Sequence, residues 1–497
     1  MPETGKKFFI TTPLYRADSR PHIGHAYTAL AADVLARHIR ARGTEVFFQT
    51  GADGHGEDAA RTAAGRGSRP GEWAEEISAD FERAWKLLGV NYDRFVRTTD
   101  PDIERGVRDA FGRMLESGDI YPGRYEGAYC PLCDDFFREG ELAEGGLCPV
   151  HKKKPEPAEG GVYLFRLSKY GKALLEHYAA NPGFLAPAGR AGAIAGLVGA
   201  GLRDIPVSRR APALGVPVPS DPDHTIHSRF GALLGYLAGA GWNAGGGTRD
   251  FLSAWPPDAQ LVGEEAFRLH AVTWPAALMS LGLPLPARVY AHGRWTMEGG
   301  GKHGARGGAV SPAEAIKEYG ADTLRYFLFR ETPFGLDGHF SAAALARRYD
   351  SELAVGLGGL FSRVIELAGE HLDSRLPAKP EEASAKTFAR LRAIDADIAA
   401  DIEALAFGPA LDRVHGAVEE LNRGIEAVKP RALAAKDPAA LKSFLNDMVW
   451  CLRLVAGWVY PFMPDASARM QMLMSIGGAE TGGVEPQRAP PLFPRKP

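Results

Sequence analysis

His22 and His25 stand on either side of Ile23 and Gly24, between the first predicted strand and the first predicted helix. The N-terminus of a helix presents unpaired N–H groups and a partial positive charge, which suits a triphosphate. Two imidazoles there can donate hydrogen bonds to phosphate oxygens as charge builds during displacement at the α-phosphorus. Gly24 permits a planar base to approach the backbone. The pattern indicates phosphate chemistry, and the alternative is a pair of ordinary helix-capping histidines.

Three of the four cysteines cluster with a histidine. Cys130 and Cys133 form a CxxC pair, and fourteen residues later Cys148 and His151 form a CxxH pair. Two-residue gaps let paired side chains converge on one tetrahedral ion, and thiolates with an imidazole suit Zn²⁺. Four protein ligands leave no open coordination position, so the pattern predicts a structural zinc ion. Unpaired structural cysteines are the alternative.

The elements that must position these groups alternate between strand and helix. Residues 7–12 and 45–50 have the apolar pattern of buried strands, and residues 25–41 between them have helical periodicity. This order predicts a parallel βαβ unit. Residues 260–263 and 287–292 are predicted to return to the same sheet.

The length of 497 residues predicts several domains. Glycine, proline and the Cys/His cluster interrupt the alternation in the middle of the chain, and helical periodicity follows residue 342. We predict a catalytic domain in two halves, an insertion that carries the knuckle, an all-α domain and a loose tail. Their respective ranges are 1–118 and 221–341, 119–220, 342–475, and 476–497.

The composition narrows the class of protein. A net charge of −3 gives no basic surplus for phosphate contacts, which argues against nucleic-acid binding without excluding it. Residues 1–7 are too polar for a signal peptide, and no stretch approaches the ~20 apolar residues that span a bilayer. Cysteines grouped for metal binding fit a reducing compartment. A cytoplasmic protein without membrane contact is therefore expected.

Short stretches spread over nearly the whole chain resemble the methionyl-tRNA synthetases, and they occur in the same order. One of them contains Pro21, His22, Ile23, Gly24 and His25, which matches the HIGH signature of that family. The resemblance implies a class I synthetase fold: a Rossmann-like, doubly wound parallel sheet, a zinc-knuckle insertion and a helical bundle. The matching stretches are residues 11–15, 21–28, 50–56, 165–170, 215–219, 270–276, 292–296, 326–327 and 333–335.

The resemblance also implies a site for ATP with Mg²⁺. Lys302 is the one lysine at the position of the KMSKS loop, where the matching residues are 301–305, and Arg306 lies nearby. These two side chains can still reach phosphate, although glycines loosen the loop. Loss of activity is the alternative. The implied catalytic residues are His22, His25 and Lys302, and the implied ATP-binding residues are Pro13, His22, Gly24, His25, Gly263, Glu265, Lys302 and Arg306.

The amino-acid pocket that the resemblance implies departs from the family at two positions. Arg16 matches an aromatic residue after the first strand, and Arg229 matches the pocket tryptophan. Burying unpaired guanidinium is costly, so the arginines either meet a carboxylate on the substrate, fill the pocket so that a small amino acid fits, or turn into solvent. Asp53 matches the residue that holds the substrate ammonium. The implied amino-acid-binding residues are Leu14, Arg16, Asp53, Arg229, Ala232, Leu233, Tyr236 and His270.

The helical domain departs from the family as well. Gly359, Arg363 and Arg431 match the positions that read the anticodon, where the family has asparagine, arginine and tryptophan. Loss of one base-stacking side chain removes ~1–3 kcal/mol. Specific recognition of methionine tRNA is therefore not expected, and the bundle is predicted to serve as a scaffold.

These departures favour an ATP-dependent ligase that passes its acyl group to a small nucleophile instead of tRNA. The chain is similar to the synthetase-like portion of hydrazine-forming enzymes in natural-product pathways. In those enzymes an activated amino acid meets an N-hydroxylated amine, and a zinc cupin, here a separate protein, forms the N–N bond. A methionine–tRNA ligase and a catalytically silent relative are the alternatives. The retained His22, His25 and Asp53 argue against the silent relative.

Overall fold

The structure is a computed structural model, and it describes residues 6–133, 135–149, 151–210, 214–297, 312–372, 385–474 and 490–496. The first part of the chain alternates strands and helices as its apolar periodicity predicts. Its elements are β1 (Phe8–Arg16), α1 (Ile23–Ala41), β2 (Val46–Asp53), α2 (Glu57–Gly65), α3 (Pro70–Leu87), β3 (Arg94–Arg97) and α4 (Pro101–Glu116).

The middle of the chain is rich in short strands. Its elements are β4 (Ile120–Cys130), β5 (Asp135–Phe137), β6 (Glu156–Phe165), α5 (Gly171–Ala180), β7 (Leu185–Ala186), α6 (Ala188–Gly199), β8 (Ile205–Pro206), β9 (Ser208–Arg210), β10 (Pro217–Val218) and β11 (Asp221–Ile226). Strands β5, β4, β6 and β8 form an antiparallel sheet in that order, and β10, β11 and β9 form a smaller one.

The chain then returns to strands and helices. These elements are α7 (Ser228–Gly239), α8 (Arg249–Ala254), β12 (Ala259–Gly263), α9 (Glu264–Arg268), α10 (Trp274–Ser280), β13 (Val289–His292), β14 (Trp295–Met297), α11 (Pro312–Tyr319), α12 (Ala321–Glu331) and β15 (Gly338–Phe340). A π-helical turn, Leu269–Thr273, joins α9 to α10.

The last part of the described chain is helical. Its elements are α13 (Ala342–Arg348), a π-helical segment (Tyr349–Leu357), α14 (Gly358–His371), α15 (Ala385–Ala393), α16 (Asp395–Glu403), α17 (Phe407–Val428), α18 (Pro430–Lys436), α19 (Pro438–Val459) and α20 (Pro464–Met474).

Six strands form the central sheet, in the order β3-β2-β1-β12-β13-β7, and every pair is parallel. Strand β1 lies where the strand order reverses, between β2 and β12. Such a switch point opens a crevice at the carboxyl ends of the strands. Apolar side chains from helices pack on the sheet, among them the fully buried Trp73, Trp85 and Trp274. The predicted α/β fold with a helical domain is confirmed.

The predicted insertion, residues 119–220, does not stay apart from the catalytic domain. Strand β7 pairs with β13 and becomes the edge of the central sheet, with Leu185 opposite Val289. Two residues are too few to show a strand period, which is why the sequence did not reveal this return.

Helix α1 connects the sheet to the helical domain. Asp33, in the middle of α1, accepts a hydrogen bond from Arg325 of α12 at 2.6 Å, and both side chains are fully buried. Arg325 also donates to the carbonyls of Pro461 and Phe462, at 2.7 and 2.8 Å. Farther along α1, His38 Nε2 lies 3.3 Å from Glu403 of α16.

The C-terminal segment differs from the predicted loose tail over residues 490–496. Leu492 and Phe493 are buried, and Tyr349 donates to the carbonyl of Pro494 at 2.6 Å. Two apolar side chains in a proline-rich segment are enough to dock it on the helical domain. Within the described part of the chain, no helix is long and apolar enough to cross a membrane.

Candidate active site and metal centre

The two signature histidines lie at the start of α1, directly after strand β1. His22 caps the helix, because its Nδ1 accepts a hydrogen bond from the N–H of Gly24 at 3.1 Å. A neutral His22 ring therefore carries its proton on Nε2 and donates from there. The His25 ring stacks on it, with 3.7 Å between ring centroids.

His25 has an incomplete hydrogen-bond set. Its Nδ1 is buried and has no partner in the described part of the chain. Burial lowers the pKa of His25 well below its ordinary value, and the neighbouring His22 lowers it further. A neutral imidazole with an unused polar atom at a helix N-terminus suits a phosphate oxygen as its partner.

Asp53 ends strand β2, the neighbour of β1 in the sheet. Its Oδ1 accepts hydrogen bonds from the Thr98 hydroxyl at 2.8 Å and from the His55 N–H at 3.2 Å. The carboxyl is buried, burial raises its pKa, and no described lysine or arginine forms an ion pair with it. A buried carboxylate held by neutral donors is a suitable site for an ammonium group.

Helix α7 carries residues predicted to bind the amino acid. Ala232, Leu233 and Tyr236 lie at helical spacing, and the Tyr236 hydroxyl is 3.0 Å from His270 Nε2 and 3.1 Å from the Thr12 carbonyl. His270 Nδ1 donates to the Ala266 carbonyl at 2.9 Å, and burial lowers the pKa of His270 to about 4. His270 is therefore a neutral ring that accepts at Nε2.

Two further predicted residues lie on β1. Leu14 is buried and faces Gly51 of β2 in register, and a shift in that register occurs between Thr11 and Leu14. Pro13 lies inside the shift. Proline has no N–H to give to a strand ladder, so an irregularity at this position is expected.

Both arginines of the predicted pocket pair with carboxylates of the protein. Arg16 Nε donates to Asp58 Oδ2 at 2.9 Å, and Arg16 Nη1 donates to the carbonyl of Cys133 at 2.8 Å. Arg229 Nη1 lies 2.7 Å from Asp135 Oδ2. In this structure neither guanidinium turns freely into solvent, and neither depends on a substrate carboxylate for charge balance.

Two of the residues predicted to bind ATP, Gly263 and Glu265, lie at the end of β12 and in the helix α9 that follows it. A Cβ on Gly263 would come within 2.4 Å of the Glu265 carboxylate, so the missing side chain makes room for that group. His292, at the end of β13, contacts the Thr28 hydroxyl of α1 at 2.6 Å through Nε2. Lys302 and Arg306 lie outside the described residues.

The four predicted metal ligands converge. The sulfur or nitrogen donors of Cys130, Cys133, Cys148 and His151 all lie within 4.8 Å of one another. Cys133 Sγ is 3.7 Å from Cys148 Sγ, and His151 Nδ1 is 3.8 Å from the sulfurs of Cys130 and Cys148. Zn–S bonds of ~2.3 Å give tetrahedral edges of ~3.8 Å, so the set fits a zinc ion.

Sequence reasoning missed four groups that complete these sites. Thr98 positions the Asp53 carboxyl, Thr28 contacts His292, and Asp58 and Asp135 pair with the arginines. His292 lies in a stretch that resembles the family, and this was the one available signal. Asp58 and Asp135 gave none, since 42 and 94 residues separate them from their partners.

Comparisons with known proteins identify the family of the chain. The family described as tRNA synthetases class I (M) matches residues 8–154 and 141–365. A methionine–tRNA ligase of Caldanaerobacter subterraneus is 37% identical over 99% of this chain and 79% of its own length. The chain belongs to the methionyl-tRNA synthetase family.

Other members of the methionyl-tRNA synthetase family support this placement. The methionine–tRNA ligase of Streptomyces coelicolor is 36% identical over 94% of this chain and 89% of its own length. Mycobacterium tuberculosis methionyl-tRNA synthetase, in complex with methionyl-adenylate, superposes with a TM-score of 0.91 at 33% identity, over 99% of this chain and 100% of that one. The predicted class of enzyme, an ATP-dependent ligase, is confirmed, as is the zinc-binding group.

Proposed function

We propose that this chain activates an amino acid with ATP, as a ligase of the methionyl-tRNA synthetase type. The carboxylate oxygen of the amino acid attacks the α-phosphorus of Mg²⁺-bound ATP, the α–β phosphoanhydride bond breaks, and pyrophosphate leaves. The product is an aminoacyl adenylate. Methionine is the first candidate substrate, because the solved relative is described with methionyl-adenylate.

The observation that carries this proposal is the position of Asp53. Its buried carboxyl has no described ion-pair partner, and it lies on the strand next to the one that leads into the two histidines. An amino acid whose ammonium meets Asp53 directs its carboxylate toward a triphosphate at the start of α1. His22 and His25 would then donate to the phosphates as negative charge develops.

Transfer of the acyl group to tRNA is the first candidate for the second step, because the relatives are described as methionine–tRNA ligases. A second candidate is transfer to a small nucleophile such as an N-hydroxylated amine, with a separate zinc cupin acting on the product. One observation favours it: Arg229 replaces the tryptophan that the family resemblance implies for the pocket, and it pairs with Asp135. Gly359 stands at a position where the family has an anticodon-reading asparagine. A Cβ there would meet no described atom closer than 3.7 Å, so packing does not require glycine at this position.

The test is pyrophosphate exchange against each proteinogenic amino acid. Exchange above background with at least one of them supports activation, and none with any of them refutes it. A second reaction distinguishes the two candidate acceptors: it combines ATP, the amino acid found active in the exchange assay and total tRNA. Acid-stable charging of tRNA identifies the tRNA ligase. Pyrophosphate release that rises with an added hydroxylamine-bearing amino acid, while tRNA stays uncharged, identifies the small acceptor.

A further inference from the structure

Arg16 joins the amino-acid site to the metal knuckle, defined as residues 130–151. The residue ends β1 and stands in register with Asp53 on β2. Its guanidinium donates to Asp58 in the first turn of α2 and to the backbone carbonyl of Cys133. The Asp58 side chain is 7% exposed and that of Arg16 is 26%, so solvent screens this ion pair only in part.

Arg229 makes a second connection to the metal knuckle, from helix α7. It lies on α7, seven residues before Tyr236, which contacts His270. Its partner Asp135 begins β5, two residues after the metal ligand Cys133. The two arginines therefore hold the same end of the knuckle, one from β1 and one from α7.

A third contact extends the same arrangement. Arg209 of β9 pairs with Glu57, the residue before Asp58, and lies over the Tyr129 ring at 4.2 Å from its centroid. Tyr129 directly precedes the ligand Cys130. The first turn of α2 is thus tied to both sides of the CxxC pair, and it begins four residues after Asp53.

The hydrogen bond from Arg16 to the Cys133 carbonyl supports this arrangement, because it holds the backbone of a metal ligand. Asp58 already balances the charge of the Arg16 guanidinium, so the contact acts on the position of the ligand. Groups outside the ligand shell that orient metal ligands typically change metal affinity ~10–100-fold when they are removed.

We propose that Arg16 and Arg229 are positioning residues that hold the metal knuckle against strand β1 and helix α7, the two elements that carry predicted amino-acid-binding residues, so that metal binding and amino-acid binding are coupled. The assignment of these two elements to an amino-acid site rests on the proposed function. Coupling is reciprocal: an arrangement that lets the metal improve amino-acid affinity lets the amino acid retain the metal by the same factor. The arginines then take part in amino-acid binding without touching the substrate.

The first experiment measures metal loss and needs no enzymatic activity. Zinc-loaded wild type, Arg16→Gln, Arg229→Gln and Asp135→Asn are mixed with excess chelating dye, and the rate of zinc transfer is followed. We expect zinc to leave Arg16→Gln about 10-fold faster than wild type. Arg229→Gln and Asp135→Asn should show a smaller increase, because the Asp135 side chain is 47% exposed.

A matched control lies on the same antiparallel sheet. Arg124 of β4 pairs with Glu159 of β6, and its side chain is 73% exposed. Arg124→Gln removes an arginine–carboxylate pair near the knuckle without touching the ligands or the amino-acid site, so its zinc loss should equal that of wild type. Zinc loss from Arg16→Gln and Arg229→Gln at the rate of this control would overturn the proposal.

A double substitution tests whether Arg229 and Asp135 act as a pair, and a conservative variant of Arg16 controls for misfolding. Arg229→Gln combined with Asp135→Asn should lose zinc no faster than the faster single variant, because the two side chains act as one pair. Additive acceleration would overturn the pairing. Arg16→Lys keeps the charge and should fall between wild type and Arg16→Gln, with circular dichroism confirming that each variant is folded.

The second experiment uses pyrophosphate exchange with methionine as the probe, or with the amino acid found active in the screen above. In Arg16→Gln the KM for the amino acid should rise while the KM for ATP stays at the wild-type value. An equal rise in both would overturn the coupling. Absence of exchange by wild type with every amino acid refutes the proposed function, and the metal-loss experiment still decides whether the arginines fasten the knuckle.

Discussion

We predict that Asp53 makes the proposed amino-acid site sensitive to pH, because its carboxyl is buried and forms no ion pair with a lysine or arginine in the described structure. Burial raises the pKa of Asp53 above the ordinary 3.8 of an aspartate. The carboxylate proposed to attract the substrate ammonium is therefore lost as the pH falls through this raised pKa. A carboxyl in water would keep its charge to a lower pH.

We predict that the KM for the amino acid rises as the pH falls, and that the loss of affinity begins above pH 3.8. Asp53→Asn should raise the KM about 100-fold at neutral pH, since an unpaired buried partner costs ~3 kcal/mol, and should remove the pH dependence. Pyrophosphate exchange across pH checks both. Asp102→Asn, whose side chain is 61% exposed, is the control. Asp53→Asn with a wild-type KM would contradict the prediction.

The histidine pair at the start of α1 is the second feature whose effect depends on single residues. Removing one donor that meets charge in the transition state typically costs ~3 kcal/mol, or about 100-fold in rate. His22→Ala and His25→Ala should each slow amino-acid-dependent pyrophosphate exchange by that factor. His415→Ala removes a histidine that pairs with Glu419 on α17, and it should leave the rate unchanged. Unchanged rates in the first two variants would place the chemistry elsewhere.

The elements that the sequence predicted are those in which apolar residues recur with a clear strand or helix period. The strand predicted at residues 7–12 overlaps β1, which begins one residue later, and the helix predicted at 25–41 is α1, which begins two residues earlier, directly after its cap His22. β1 continues beyond Pro13 to Arg16, because its ladder accommodates the proline with a shift in register. A pattern of side chains does not show such an adjustment.

Site residues that lie beside a motif were predictable, and those brought together by tertiary packing were not. The zinc ligands follow from spacing alone, since each pair lies within one turn. The partners of Arg16 and Arg229 depend on how the knuckle sits on the catalytic domain. Asp58 and Asp135 therefore had to be found in the structure.

The knuckle is the element whose metal is most easily tested. We predict one zinc ion per chain, and a Cys130→Ala protein that retains less than the full amount, because one of four ligands is gone. Metal analysis after gel filtration measures the ratio. Cys451 is the fourth cysteine, buried in α19 away from the knuckle, so Cys451→Ala should keep full zinc. A Cys130→Ala protein with full zinc would contradict the ligand assignment.

At the scale of the whole molecule, the helical domain is attached through buried polar contacts. Asp322 of α12 is one of them: its Oδ2 accepts from the N–H of Ala466 in α20 at 2.6 Å, and burial raises the pKa of Asp322 to about 6. The folded state therefore binds this proton more tightly than the unfolded chain does. The associated stability is present below pH 3.8 and is lost as the pH rises to about 6.

We predict that the free energy of unfolding of wild type falls by about 2 kcal/mol more than that of Asp322→Asn as the pH rises from about 4 to about 6. Asparagine can still accept the Ala466 hydrogen bond but does not titrate. Urea denaturation at several pH values gives the difference. Asp412→Asn, with a side chain that is 63% exposed, should follow wild type. Parallel pH profiles of wild type and Asp322→Asn would contradict the assignment.

Helix α1 begins at the histidine pair, is locked to Arg325 in its middle and meets Glu403 near its far end. Its 19 residues make a rod about 28 Å long. If the helical domain tilted such a rod by about 5° about its far end, the histidines would move by about 2 Å. Misplacement by ~1 Å can cost ~100-fold in rate. We therefore expect a partner that docks on the helical domain to change the rate of pyrophosphate exchange, and a crosslink between that domain and the catalytic domain to abolish the change.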